Sequence, residues 1–329
     1  MNPQNGLLTI TEASALIESG HFMSIAGDET ALRQLPPGHW IGGTIPYFIG
    51  SEGGITTKDR VYVQLIECFA QPPRLSLRAT DELPAICHEA PDNGYTLLII
   101  PAFSEAHRLF AENAPNYEEM YMKPLVGWIA GVHLAELGTR KPLVVLGETL
   151  EFSDDKAAVI DVALPDHRYA QVEIVNPFRA APTPILRFPT SGFSAGACEI
   201  DGQARNFAEY LVSHQLDSRL PLVADYCGAL INVSIRNIDL ENGQVDFYAP
   251  VFAGTEYRMA SPLTDYVQTF AAALPGGLGQ PEFACNCVLN FLYSELEGKQ
   301  AGAIGGPMTF GEIGYQLLNQ TMALLTIGE

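Results

Sequence analysis

Two pairs of adjacent glycines in this sequence are candidates for a phosphate-binding loop. Gly42-Gly43 lies in W-I-G-G-T-I-P-Y-F-I-G, and Gly305-Gly306 lies in A-I-G-G-P-M-T-F-G-E-I. A phosphate-binding loop needs glycines at set offsets between a strand and a helix N-terminus. Both pairs instead continue into apolar and β-branched residues, without the Lys-Ser or Lys-Thr of a P-loop. They favour glycines inside strands, at a bulge or a close approach of backbones, where Gly43 or Gly306 also leaves room for a ligand.

Several polar or aromatic residues near these glycines could bind a small ligand. Glu312 could receive a ligand ammonium group or bond the backbone at a strand end. Thr309 and Phe310 alternate along a strand, so one of them faces the side of a pocket. Trp128 occupies the second glycine position of P-L-V-G-W-I-A-G and is either a core residue or a pocket wall. Arg258 could hold a carboxylate bidentately or form a surface ion pair.

Cysteine and histidine residues give weaker signals for metal or haem chemistry. Cys285 and Cys287 are two residues apart and so point to one face of a strand, but a zinc site needs four ligands and no second pair has ligand spacing. Core thiols are therefore favoured over a metal site. His133 is the best single candidate for an axial haem ligand, the alternative being a structural histidine. No nucleophile elbow joins a strand to a helix, so the sequence does not favour an enzyme.

The elements that position these residues repeat three times. Each copy reads as a strand, a helix, a glycine-bearing strand and a further strand, with Gly127 in the second copy where the first has Gly42. The opening and closing strands are predicted at His21–Ala26 and Val61–Phe69, Tyr95–Ala102 and Ala157–Leu164, and Phe283–Asn290 and Thr321–Ile327. Irregular spacing indicates duplicated modules and not a solenoid. The prediction is an α/β (α+β) protein with mixed β-sheets built from strand–helix–strand–strand modules.

Composition bounds the class of protein. The chain has 329 residues, 47% of them hydrophobic and 17% charged, which suits two folded domains. We place these at residues 1–185 and 197–329, joined by a Pro-rich connection. The net charge of −20, with scattered basic residues, argues against nucleic-acid binding. No run of apolar residues predicts membrane insertion and no leader pattern is evident, so we expect a cytoplasmic protein.

The C-terminal glycine segment resembles the signature of the FIST sensory domain family. The residues that carry the resemblance are Phe310, Gly311, Glu312, Ile313, Asn319 and Thr321. Upstream, A-C-E-I-D-G-Q-A-R-N-F-A-E-Y-L is similar to the start of the family's C-terminal half, and the two N-terminal glycine strands are similar to those of its first half. The resemblance thus spans nearly the whole chain. One departure is Leu289-Asn290, where family members often carry an Arg.

The resemblance implies a sensory protein that binds an amino acid or similar metabolite without turning it over. No kinase, cyclase or chemoreceptor output module is evident, which implies signalling through a separate partner protein. We expect the ligand in a cleft between the two halves, near Gly43, Trp128, Gly306, Thr309 and Glu312, with Arg258 as a further contact. No cofactor is expected. The alternatives are a haem-binding nitric oxide sensor and a small-molecule hydrolase without a recognisable motif.

Overall fold

The computed structural model describes residues 5–182, 184–226, 229–274, 281–299 and 304–329. The chain forms two compact units. The first comprises Met1–Val175, Leu274–Leu317 and Met322–Glu329, and the second comprises Asn176–Ala273 and Leu318–Thr321. No helix among the described residues is long and apolar enough to span a membrane.

The first module opens the first unit. Its elements are β1 (Gly6–Thr9), α1 (Ile10–Glu18), β2 (Phe22–Gly27), α2 (Glu29–Leu32), β3 (Trp40–Thr44), β4 (Tyr47–Gly50), β5 (Gly53–Thr56) and β6 (Arg60–Ile66). Helix α1 begins at a capping box in which Thr9 and Glu12 bond each other's backbone N–H groups. Asp28 caps α2 through a hydrogen bond from the Thr30 backbone, as its position in the sequence predicts.

The second module repeats this order. Its elements are β7 (Arg74–Arg78), β8 (Gly94–Pro101), α3 (Glu105–Asn113), β9 (Leu125–Ala130), β10 (Val144–Leu146), β11 (Glu151–Ser153) and β12 (Ala157–Ala163), with 3₁₀ helices at Thr80–Ala85, Ala114–Asn116 and Leu134–Glu136. Strand β8 is buried along its whole length, as expected of its continuous apolar run. Ser104 caps α3 by accepting the His107 backbone N–H.

The second unit follows β13 (Tyr169–Val175) in the chain. Its elements are β14 (Leu186–Arg187), β15 (Gly192–Ala195), β16 (Ala197–Ile200), β17 (Gln203–Asn206), α4 (Phe207–Ser213), β18 (Leu222–Tyr226), β19 (Ala229–Val233), β20 (Ile235–Asp239), β21 (Gln244–Val251), β22 (Glu256–Met259) and α5 (Tyr266–Ala273). It contains a six-stranded sheet, β17-β16-β14-β22-β18-β19, and a three-stranded sheet, β15-β21-β20. Phe188, Phe207, Phe247 and Tyr257 pack edge to face in its core.

The third module completes the first unit. Its elements are β23 (Phe283–Cys287), α6 (Val288–Tyr293), β24 (Gly306–Thr309), β25 (Glu312–Gly314), β26 (Gln316–Leu318) and β27 (Met322–Gly328). The expected strand Phe283–Asn290 ends at Cys287, because the chain turns there into α6. Strand β13 also belongs to the sheet of the third module, because it pairs with β27. Most of the second unit lies between β13 and β23 in the sequence, so it interrupts the chain that forms this sheet.

This division differs from the predicted boundary between residues 185 and 197. That boundary grouped everything after residue 197, whereas 274–317 and 322–329 pack with the first 175 residues. The cause is the pairing of β27 with both β13 and β23, which closes the third sheet. The assignment of the two predicted domains to the FIST family stays a prediction.

The three modules share one pairing scheme. In each, the opening strand and the glycine strand are parallel, and the closing strand is antiparallel to the opening strand (β2/β3 with β6, β8/β9 with β12, β23/β24 with β27). The predicted α+β architecture with mixed sheets and repeated strand–helix–strand–strand modules is therefore confirmed.

The hairpin after each glycine strand joins a different module. Hairpin β4–β5 pairs with β24, β10–β11 pairs with β3, and β25–β26 pairs with β9. Each six-stranded sheet of the first unit thus contains a hairpin from another module, and the exchange is cyclic. No module completes its own sheet.

The glycines mark the closest approach of the parallel strands. A Cβ atom at Gly42, Gly127 or Gly306 would lie 2.7, 1.8 or 2.6 Å from the carbonyl oxygen of Ile25, Leu98 or Ala284, respectively. A side chain there would collide with a backbone atom of the neighbouring strand. Glycine therefore recurs in the three modules because the two parallel strands of each module pack too closely for a side chain.

Candidate functional site

The expected ligand residues of the glycine strands lie in the buried core of the first unit. Trp128 on β9 is paired with Glu312 on β25, and both are fully buried. A Cβ atom at Gly43 would lie 2.8 Å from the Trp128 Cη2 atom, so Gly43 makes room for the indole ring. The structure therefore brings Gly43, Trp128 and Glu312 together, and Trp128 is a core residue.

The Cys285 thiol lies beside this group. Its Sγ donates to the Gly127 carbonyl oxygen at 3.3 Å. Burial, and then the charge of Glu312, raise the pKa of the Cys285 thiol well above its ordinary value. Because the thiolate is the form that attacks and binds metals, Cys285 is not set up for either role. Cys287 is also buried, at the N-cap of α6.

Gly306 and Thr309 are in the same core. Gly306 lines a cavity of about 10 Å³, together with Ile49, Cys285, Asn286, Ile304, Gly305, Met308 and Met322. That volume holds about one water molecule and not an amino acid or a porphyrin. The Thr309 hydroxyl is placed to donate to two carbonyl oxygens, that of Asn286 at 3.1 Å and that of Gly311 at 2.9 Å.

Arg258 lies in the second unit, on β22 opposite Val223. Its Nε atom is buried without a hydrogen-bond partner, and no salt bridge of Arg258 is found within the described residues. The expected surface ion pair is thus not seen there. Arg258 and the glycine-strand residues belong to different units.

Metal-ligand atoms converge at a place the sequence did not indicate. In the described part of the chain, ligand atoms of His88, Glu118 and Glu119 lie within 4.8 Å of one another, at the surface. Neither Cys285 nor Cys287 belongs to this set. Lys123 already bonds Glu119 at 3.2 Å, so a cation there would compete with a salt bridge.

A second group of side chains lies where β3, β9 and β24 end. Ligands of open α/β sheets commonly bind beyond the carboxyl ends of parallel strands. Here the Gly131 backbone N–H donates to the Thr44 carbonyl at 2.7 Å, and the Phe310 ring occupies the space that a Gly131 side chain would fill. We call this edge of the first unit the carboxyl-end rim.

Three rings meet at the carboxyl-end rim. The Tyr47 ring stacks on His133 at 5.6 Å between centroids and contacts Phe291 at 5.7 Å. The Tyr47 hydroxyl accepts the Leu134 backbone N–H at 3.0 Å. The Ala135 backbone N–H points at His133 Nδ1 at 3.2 Å, which assigns the proton of neutral His133 to Nε2. His133, expected from the sequence, is therefore held in a fixed orientation.

Ion pairs lie beside these rings. Lys58 Nζ bonds Glu136 at 2.6 Å, and Arg140 bonds Glu29 at 2.8 Å, Glu136 at 3.3 Å and Asp28 at 3.5 Å. Burial opposes ionisation of Glu29, but hydrogen bonds and charge from Arg140 and Arg33 lower its pKa. The Lys58 hydrogen bond is the main cause of the lowered pKa of Glu136.

The balance of charge at the rim is negative. Burial is the main cause of the raised pKa of the Tyr47 hydroxyl, and the charges of Glu297 and Glu136 add to it. Glu297 is thus a fourth carboxylate near the rings, beside Asp28, Glu29 and Glu136. Against them stand three basic groups, Lys58, Arg140 and Arg33, which leaves a balance of one negative charge.

The hydrogen bonds of His133 show which groups the rim places beside its ring. Among the described residues, no hydroxyl or thiol hydrogen-bonds the His133 ring, so no nucleophile is paired with it. Sequence reasoning missed Tyr47, Lys58, Arg140 and Phe291. The signal for two of them was position, since Tyr47 comes three residues after the end of β3 and Phe291 lies in the helix that follows β23.

Comparison with known proteins gives a family without a described activity. No curated protein and no solved structure matches the sequence. Residues 8–328 match the model of the family described as "Family of unknown function (DUF6976)". Because the match covers nearly the whole chain, this protein belongs to the DUF6976 family.

Proposed function

We propose that this protein is a small-molecule-binding protein of sensory type, which captures an amine-bearing metabolite, such as an amino acid, at the carboxyl-end rim. The observation that carries the proposal is the stacked Tyr47–His133 pair beside an ion cluster with more acids than bases. Aromatic faces attract cations, and a negative balance of charge favours an ammonium group.

Charge supports a cationic group on the ligand at two scales. At the rim, Asp28, Glu29 and Glu136 are balanced by Lys58, Arg140 and Arg33, and Glu297 is the surplus carboxylate that an incoming ammonium would balance. Over the whole chain the net charge is −20, which attracts cations and repels anions at long range. Lys58, whose side chain is 38% exposed, offers a partner for the carboxylate of an amino acid.

Exclusion from the core supports the same location. The cavity beside Gly306 has a volume of about 10 Å³, and Trp128 and Glu312 are fully buried. An amino acid would have to displace core side chains to reach them, at a cost of several kcal/mol. At the rim, Tyr47 and Phe291 are buried too, and His133, which is half-buried, is the ring of the three that a ligand can reach.

The sensory part of the proposal comes from the resemblance to FIST domains, with a separate protein receiving the signal. We also propose a cytoplasmic location. Its support is chemical: the cysteines Cys68, Cys87, Cys198, Cys285 and Cys287 are all free thiols, as is usual in a reducing compartment.

The test is calorimetric titration of the whole protein with amino acids and with the matching deaminated acids. We expect amines to bind and the deaminated acids not to bind. His133→Ala should weaken amine binding at least about tenfold, because it removes one face of the aromatic set. His39→Ala is the matched control, since His39 also stacks on an aromatic ring, Phe22, elsewhere in the same unit. Equal binding of amines and deaminated acids, or full binding by folded His133→Ala, contradicts the proposal.

A further inference from the structure

Phe103 has a backbone conformation that bulky residues rarely adopt. Its φ angle is +64°, in the left-handed region, and its side chain is 57% exposed. A phenylalanine in this region is strained, and exposing its ring adds no core packing. Strain of this kind persists only where surrounding contacts enforce it, and it concentrates at functional positions.

The contacts that enforce this conformation come from the start of α3. The Phe103 backbone N–H donates to His107 Nδ1 at 3.3 Å. The Ser104 hydroxyl donates to the Pro101 carbonyl at 2.7 Å and accepts the His107 backbone N–H at 3.0 Å. Burial lowers the pKa of His107 to about 4, so near neutral pH Nδ1 stays available as the acceptor.

The Phe103 ring meets Phe310 at the carboxyl-end rim. The two ring centroids are 6.2 Å apart and the planes are inclined at 76°. Phe310 in turn lies against Gly131, where a Cβ atom would be 2.2 Å from the Phe310 Cδ1 atom. Two residues further along the chain is His133, and a two-residue step spans at most about 7 Å. The contacts of Phe103 with Phe310, and of Phe310 with Gly131, therefore connect the apolar pair to the segment that carries His133.

We propose that Phe103 is a specificity-determining residue, which selects amines that carry an aromatic or large apolar group. This inference rests on the proposed function and names the class of ligand for the same site. The ammonium group binds at the Tyr47–His133 end, and the apolar group packs on Phe103 and Phe310. The strained backbone holds the Phe103 ring out from the start of α3, where it can cover that group.

The experiment compares phenylalanine and alanine as ligands of the whole protein by calorimetric titration. We expect wild-type protein to bind phenylalanine at least about tenfold more tightly than alanine, because burying a phenyl group is favourable by more than that factor. Phe103→Ala should bring the two affinities within about threefold of each other, chiefly by weakening phenylalanine. Tyr169→Ala, which removes another aromatic residue of similar exposure (52%), should leave the preference unchanged.

The outcomes separate this inference from the proposed function. If wild-type protein binds both amino acids equally, or if folded Phe103→Ala keeps the preference, the role of Phe103 is wrong while amine binding stands. If neither amino acid nor any other amine binds, both proposals fail. Phe103→Gly removes the ring and also relieves the backbone strain. It should be at least as stable as wild type and should also lose the preference, so a folding defect cannot imitate the result.

Discussion

The glycine-strand core and the carboxyl-end rim are built from the same three strands, yet they differ in what repeats. Gly42, Gly127 and Gly306 are equivalent positions, and at each of them a Cβ atom would collide with the carbonyl oxygen of a neighbouring strand. Four residues after each glycine stand Pro46, Gly131 and Phe310, which have nothing in common.

The difference teaches where to look for function in a repeated fold. A residue that recurs in every module satisfies a requirement of every joint, here the close packing of parallel strands. Residues that differ between equivalent positions are not needed for this packing, so they can serve a function that only one module has. At the rim these include Phe310, which fills the space over Gly131, while His133 follows Gly131 by two residues.

The largest expected effect tests the structural role of the core. Trp128→Ala should lower the free energy of unfolding by about 3–5 kcal/mol, because it leaves a cavity where a fully buried indole packs on Gly43. Urea denaturation followed by circular dichroism measures this. Phe103→Ala at the rim should change the same free energy by less than about 1 kcal/mol, since that ring is 57% exposed. Similar losses in the two variants would erase the distinction between the regions.

A second prediction concerns the buried histidine beneath the rim. Burial lowers the pKa of His107 from an ordinary value of 6.5 to about 4. Between these values the unfolded chain binds a proton that the folded chain does not. The contribution to stability is therefore complete above pH 6.5 and falls as the pH decreases toward 4. From pH 7 to pH 5 the loss should be about 2 kcal/mol.

The measurement is the free energy of unfolding of wild type and His107→Gln at both pH values. Carboxyl groups also titrate in this range, so the informative quantity is the difference between the two proteins. The variant should lose about 2 kcal/mol less than wild type over the interval. An identical pH dependence would mean that folded His107 is protonated as easily as a histidine in the unfolded chain.

The sequence alone predicted the parts of this fold that depend on local pattern. The buried strand β8, the cap Asp28, and the equivalence of Gly42 and Gly127 follow from an apolar run, a capping residue and repetition. Each of these depends on residues close together in the chain, which periodicity records.

Long-range pairing could not be predicted in this way. The register of Trp128 with Glu312, across more than 180 residues, depends on hairpin β25–β26 joining the second module instead of its own. The local sequence pattern of a strand does not identify the strand with which it pairs, because any buried strand offers the same backbone donors and acceptors. The division into units and the rim cluster both result from such pairings. For the same reason His133 was identified without Tyr47, its neighbour in space.

The smallest expected effect is the most direct comparison of the two regions. Glu312 in the core and Glu136 at the rim are carboxylates that substitution by glutamine leaves nearly unchanged in shape. Glu312→Gln should alter amine affinity less than twofold and the free energy of unfolding by no more than about 1 kcal/mol, because a buried carboxylate contributes little net stability over a neutral amide. Glu136→Gln should weaken amine binding several-fold, since it removes a negative charge beside Lys58 and Arg140. If titration shows the reverse order in two folded variants, the ligand enters the core, and the motif residues are the binding site after all.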